Sequence, residues 1–156
     1  MNTAVLAIDI GASSGRHMLG QVKNGRLELT ELYRFPNGAQ RKNGRLCWDI
    51  DRLFAEILNG LRTARAQGIS PRSVAIDTWG VDYGLLDKNG HLLSNPRSYR
   101  YAVDADMEAV WKTVDLPTLF ARTGIATMNF NTVYQLYRRK QQGDPALEAA
   151  EALLFM

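Results

Sequence analysis

One cysteine, Cys47, and two histidines, His17 and His91, are all that this 156-residue chain contains of those two residue types. A single thiol excludes an internal disulfide, and two histidines make a structural zinc site improbable. Cys47 lies in a Leu-Cys-Trp stretch, where it reads as a small hydrophobe. No window holds ~18 consecutive apolar residues, so no membrane span is expected. The N-terminus shows no basic segment followed by an apolar run of signal length, which makes the cytoplasm the expected compartment. Charge of one sign is also scarce: 19 basic against 16 acidic side chains leave a net +3. That small excess does not point to nucleic acid. The only basic triplet, Arg138-Arg139-Lys140, reads as a solvated helix face. Proline is sparse, and no linker, repeat or low-complexity tract breaks the chain.

The composition is 46% hydrophobic and 22% charged, which suits one globular domain with a real core. Residues 4–10 read as a buried strand, 16–23 as a second and 26–35 as a third. Asn24-Gly25 signals a two-residue hairpin between the last two. The three form an antiparallel meander. Residues 36–45 are a loop or a second hairpin around Asn43-Gly44. Asp49 is a candidate N-cap, and Leu53, Phe54, Ile57, Leu58, Leu61 and Ala64 then recur at helical spacing up to Gly68. Residues 73–78 and 82–87 are further strands. Helices are expected over 104–114, 116–122, 132–142 and 146–152. Leu153 to Met156 begins like another buried strand. This order predicts an α/β domain. An apolar strand in that position either pairs inside the domain or belongs to a longer protein, of which this chain would be the front part.

Two segments carry chemistry. The first strand holds Asp9 and runs into Gly11-Ala-Ser-Ser-Gly-Arg16. A carboxylate within an apolar strand needs compensation. Asp9 either caps the following turn or organises a magnesium ion, usually through water. The spacing is neither that of a P-loop nor G-x-G-x-x-G. Glycine and serine suit an ordinary hairpin turn. They also suit an anion nest of backbone N–H groups, with Ser13 and Ser14 as hydroxyl donors and Arg16 as a bidentate phosphate ligand. The second segment is Asp77-Thr-Trp79-Gly80-Val-Asp82 at a strand end, where α/β sheets face their ligands. Trp79 either closes the core or covers the apolar face of a sugar. Asp77 or Asp82 either caps a turn or accepts hydroxyl hydrogen bonds. Tyr99-Arg-Tyr101 and Asn129-Phe-Asn131 read as turn or interface residues, with the lining of a polyol pocket as the alternative.

The stretch Ile8 to Arg16 resembles the first phosphate motif of the FGGY carbohydrate kinases. Further matches follow in order: Arg34 to Gly38, Asn43-Gly44 with Trp48-Asp49, Ile76 to Asp82, Tyr99-Arg100, Arg122 to Ile125 and Phe130 to Leu136. The resemblance implies a ribonuclease H-like, actin-like ATPase fold with a mixed sheet, and ATP and Mg²⁺ as cofactors. It implies that Asp9 organises Mg²⁺ and that Ala12, Ser13, Ser14, Gly15 and Arg16 contact ATP phosphates. Gly80 would touch the sugar, with Asp77, Trp79 and Asp82 shaping its pocket. The Asp77–Asp82 segment matches the branch that phosphorylates L-rhamnulose on its 1-hydroxyl. Family members are roughly three times this long and draw their catalytic base from a His-Asp-Thr motif. No His-Asp pair occurs here, so the base is expected beyond Met156 and the isolated chain is expected to turn over little or no substrate. Self-association through an exposed cleft face is a further expectation. The alternatives are a kinase for another ketose or polyol, and a non-catalytic binding domain of the same fold.

Overall fold

The computed structural model describes residues 4–156. The chain divides into two compact units, one of residues through Gln40 with Trp48–Trp79, the other of Arg41–Cys47 with Gly80–Met156.

The first unit is built on a four-stranded mixed sheet. Strands β1 (Ala4–Ile10), β2 (Ser14–Lys23) and β3 (Arg26–Pro36) form the expected antiparallel meander. Asn24 and Gly25 both take positive φ, 50° and 76°, the requirement of a tight type I′ hairpin. A bulge at His17/Met18 leaves Leu32 without a partner on β2. After the small hairpin of β4 (Gln40–Lys42) and β5 (Arg45–Cys47), helix α1 (Ile50–Ala66) leads to β6 (Ser73–Thr78). The β6 strand lies parallel beside β1, and the sheet order is β3-β2-β1-β6. Asp49 Oδ1 accepts the Arg52 amide at 3.0 Å and so starts α1, while Gly68 at φ 72° follows its end.

The two faces of β1 differ by the period-2 rule. Leu6, Ile8 and Ile10 are buried, whereas Val5 and Ala7 are exposed and Asp9 half-buried. On the buried side His17 is wholly enclosed, with Ile57 O of α1 at 3.2 Å from Nε2. Burial pushes the His17 imidazole below its ordinary pKa, against a smaller upward pull from the Ile57 carbonyl and Glu56. The helix comes this close because residue 60 is glycine. A Cβ there would sit 2.2 Å from His17 Nε2.

The second unit holds the two-stranded antiparallel sheet of β7 (Tyr83–Leu86) and β8 (Ala152–Phe155). Its helices are α2 (Asp104–Trp111), α3 (Leu116–Thr123), α4 (Thr132–Gln141) and the short α5 (Pro145–Glu148). Helices α2 and α4 pack together, and Trp111 Nε1 donates to the buried Tyr134 hydroxyl at 3.1 Å. Two sequence expectations need correcting here. The last strand is not buried, since Leu154 and Phe155 are exposed on a sheet that has two strands among the described residues. The basic triplet is not a solvated face either. Arg139 is 3% exposed, over the ring of Tyr83, and Arg138 pairs with Asp106, so of the three only Lys140 points to solvent. Cys47 is buried as expected, and burial raises its thiol pKa. Among the described residues no helix is long and apolar enough to cross a membrane.

Candidate phosphate site

The chemistry-bearing residues of the first unit collect at one end of its sheet. Strand β1 pairs with β2 so that Asp9 opposes Arg16, and with β6 so that Asp9 opposes Asp77. Register partners share a face, so two carboxylates flank each other on parallel strands about 4.8 Å apart, with a guanidinium on the far side of one. The Arg16 Nε lies 3.0 Å from Asp9 Oδ2, and both side chains are close to half exposed. The contact is an ion pair without hydrogen-bond alignment, since Arg16 Nε is buried and makes no hydrogen bond. Arg34, the cross-strand partner of Arg16 on β3, is already held by Glu31 at 2.5 Å. Asp77 is exposed, and its side chain lies beside that of Asp9 with no basic partner of its own among the described ion pairs. Like charges directly opposite on neighbouring strands repel, so this strand end favours a cation.

The turn above Asp9 is closed and pinned. The Gly11 amide donates to Ser14 O at 2.9 Å, which leaves Ala12 and Ser13 at the tip. Asn37, just past β3, holds that tip from the side. Its amide donates to Ser13 O at 2.9 Å and its Nδ2 to Gly11 O at 2.8 Å. Arg52 of α1 in turn donates to Asn37 Oδ1 at 3.3 Å. The Gly11, Ser13 and Ser14 carbonyls are thus engaged, while the Ala12 and Ser13 amides have no protein acceptor among the described residues. Two backbone amides, two serine hydroxyls and a guanidinium thus lie along this turn, the donor types that an anion nest uses. Sequence reasoning did not single out Asn37 as a site residue. Its signal is weak, because Asn37-Gly38 reads first as a turn dipeptide.

Gly15 has a packing role at the same place. It is buried, and a Cβ added to it would lie 2.1 Å from the ring of Phe35, which is itself 1% exposed. At the second motif Trp79 stacks on the fully buried Trp48 with centroids 4.5 Å apart, and Thr78 Oγ1 is buried without a hydrogen-bond partner. Trp79 therefore closes part of the first unit's core and keeps part of its surface exposed. In the second unit Gly80 is exposed, and an added Cβ would meet nothing within 4 Å. Asp82 is fully buried and accepts from Gln135 Nε2 at 3.1 Å.

No family model matches the chain. Individual proteins do. The chain is 45% identical to a rhamnulokinase of Halalkalibacterium halodurans over 152 residues, which is 97% of this chain and 32% of that protein. It is 43% identical to the rhamnulokinase of Oceanobacillus iheyensis over 157 residues, covering 100% of this chain and 33% of the relative. The chain therefore spans about a third of the length of the curated relatives it matches. Among solved structures, the xylulose kinase of Rhodospirillum rubrum superposes with a TM-score of 0.79 at 16% identity, over 97% of this chain and 32% of that one. The gluconate kinase of Lactobacillus acidophilus gives 0.73 at 15%, over 99% and 31%. The fold is the actin-like ATPase fold of the FGGY sugar kinases. Along nearly all of its own length the chain is similar to about a third of a rhamnulokinase.

Proposed function

We propose that this chain supplies the nucleotide-phosphate and magnesium part of an ATP-dependent kinase that phosphorylates L-rhamnulose at its 1-hydroxyl. The chain forms the front part of that enzyme's first lobe. The observation that carries this reading is the placement of Asp9, Asp77, Arg16 and the open Ala12–Ser13 amides at one sheet end.

The residues present fit both cofactors. Among the described residues there is no cluster of three or more metal-ligating side chains. Mg²⁺ in nucleotide sites keeps several waters and needs only one or two carboxylates together with phosphate oxygens. Asp9, with Asp77 beside it, matches that donor set, and their mutual repulsion favours the cation. When bound, Mg²⁺ offsets charge on the phosphates. Ala12 and Ser13 would offer amides to phosphate oxygens, Ser13 and Ser14 their hydroxyls, and Arg16 its guanidinium. Gly15 lets β2 pass Phe35, which fixes where Arg16 stands. The sugar-binding roles that the resemblance implies fall on Asp77, as a hydroxyl acceptor, and Trp79 in the first unit, and separately on Gly80 and on Asp82, which accepts from Gln135, in the second. The resemblance places the base that removes the proton from the attacking hydroxyl in a His-Asp-Thr motif, which this sequence does not contain.

A chimera tests the proposal. This chain replaces the matching third of the Halalkalibacterium halodurans rhamnulokinase, and a coupled assay follows ADP release with L-rhamnulose and a panel of other ketoses and polyols. The expected result is turnover of L-rhamnulose above all others, with Asp9→Asn lowering kcat by at least ~10²-fold. A folded but inactive chimera would favour a non-catalytic binding domain, and preference for another ketose would reassign the substrate. The 156-residue chain alone is expected to show little or no turnover.

A further inference from the structure

The strongest unassigned feature is a cavity of about 110 Å³ in the second unit. Its lining includes four arginines, Arg45, Arg97, Arg138 and Arg139, and one carboxylate, Asp106. A second carboxylate, Asp144, sits against the wall. Its Oδ2 serves both Arg97 and Arg139, the latter at 2.9 Å, while its Oδ1 caps α5 through the Ala146 amide at 3.1 Å. Asp106 is taken by Arg138. Arg45 is exposed and has no acidic partner among the described residues. Four positive charges thus meet two negative ones.

Burial makes that imbalance consequential. Arg139 is 3% exposed, and its Nη2 has no hydrogen-bond partner. A buried guanidinium with an idle donor is costly unless an acceptor arrives. Burial pushes the Arg97 guanidinium below its usual range, and the neighbouring Arg139 and Arg45 charges add to the effect against the pull of Asp144. In the other direction, burial alone would raise the Asp144 carboxyl, but the Arg139 charge, the Ala146 amide and Arg97 outweigh it and hold it low. The one carboxylate shared by two arginines is therefore already ionised and cannot supply more charge. Tyr99, Tyr101 and Asn129 complete a polar rim that suits a hydroxylated molecule.

We propose that this cavity binds a small phosphoryl dianion, either free phosphate or the phosphoryl end of a phosphorylated sugar. The site acts independently of the Gly11–Arg16 turn and does not rest on the kinase reading. A double charge matches the excess of two, and several acceptor oxygens suit guanidinium donors arranged around a pocket.

The test titrates the full 156-residue chain with inorganic phosphate by calorimetry at constant ionic strength, with chloride as the reference. A sugar 1-phosphate serves as the second arm. Saturable one-to-one binding of phosphate is expected, and Arg45→Glu should weaken it at least tenfold. Arg97→Gln should do the same where circular dichroism shows the variant folded. Because Arg45 is exposed, its variant keeps the test readable even if the other fails to fold. Lys23→Ala, an exposed change in the first unit, should leave the binding unchanged. Tighter binding of the sugar phosphate would identify the phosphorylated sugar as the ligand, and equal binding would identify free phosphate. Absence of saturable binding overturns the proposal. So does binding lost in Arg16→Ala but kept in Arg45→Glu, which would assign the phosphate to the turn.

Discussion

Replacing Gly15 by alanine separates two reasons for a glycine in the phosphate motif. If glycine only gives a ligand room to approach, the variant should bind less and fold as well as before. The geometry says otherwise. The new Cβ would lie 2.1 Å from Phe35 Cζ and 2.5 Å from Cε1, where apolar carbons settle at about 3.5–4.0 Å. The ring must therefore retreat by about 1.5 Å, and it has little freedom. Phe35 is 1% exposed and packs on Tyr33 and His17 at centroid distances of 6.2 and 6.4 Å. Overpacking of this kind costs about 1–3 kcal/mol. Alanine recovers roughly 0.5–1 kcal/mol of backbone entropy, so a net loss of about 1–2 kcal/mol is expected. For a chain of this size that lowers Tm by roughly 2–8 °C. Urea unfolding should show a lower midpoint at unchanged slope. Phe35→Leu should cost less in the Gly15→Ala background than in the parent, a coupling readable in a double-mutant cycle. A Gly15→Ala chain as stable as the parent, or additive effects in the cycle, would refute the reasoning.

Gly60→Ala should lower stability by about 1–3 kcal/mol, although alanine is the better helix former, because its Cβ would meet His17 at 2.2 Å; a gain in the urea midpoint would contradict this. Gly80→Ala, by contrast, should leave the urea midpoint unchanged to within about 0.5 kcal/mol, since nothing lies within 4 Å of the added methyl. The depressed His17 pKa makes the unfolded chain bind the proton first. Stability should therefore fall as pH drops below about 6.5, by at most about 1.4 kcal/mol per unit, down to the folded value. Thermal melts of parent and His17→Gln across pH 5 to 8 check this, because the variant should lose that slope. Asp144→Asn removes the carboxylate shared by Arg97 and Arg139 and should cost about 3–5 kcal/mol at neutral pH. Because the folded Asp144 pKa is depressed, its contribution is present above about pH 4 and disappears as pH falls through the folded value. The gap between parent and variant should accordingly close in acid unfolding curves.

Local signals made the meander, α1 and the Asn24-Gly25 hairpin legible, because tight turns, caps and period-2 or helical patterns act over a few residues, whereas residues 36–45 read as a loop or a second hairpin. Asn24-Gly25 needs positive φ at both positions, and that fixes the β2–β3 junction. The tight turn after Asp9 was legible for the same reason. What the sequence hid is long-range. Arg97 and Asp144 are 47 residues apart, and no spacing rule links them. Arg139 looked like part of a solvated face because a basic triplet carries no sign of the carboxylate that will bury its middle member. The pairing of Asp77 with Asp9 depends on β6 lying parallel to β1, which a reading of either strand alone cannot give. Asp82 read either as a turn cap or as a hydroxyl acceptor, and no local pattern announced that its carboxylate is enclosed and accepts from Gln135.

The central claim is that Asp9 and the Gly11–Arg16 turn hold magnesium and nucleotide phosphate together. Calorimetric titration of the 156-residue chain with ATP, with and without Mg²⁺, tests it most directly. The account predicts saturable binding that requires Mg²⁺, is lost in Asp9→Asn and Arg16→Ala, and survives in Arg45→Glu. Absence of Mg²⁺-dependent binding, or binding untouched by both Asp9→Asn and Arg16→Ala, would contradict it.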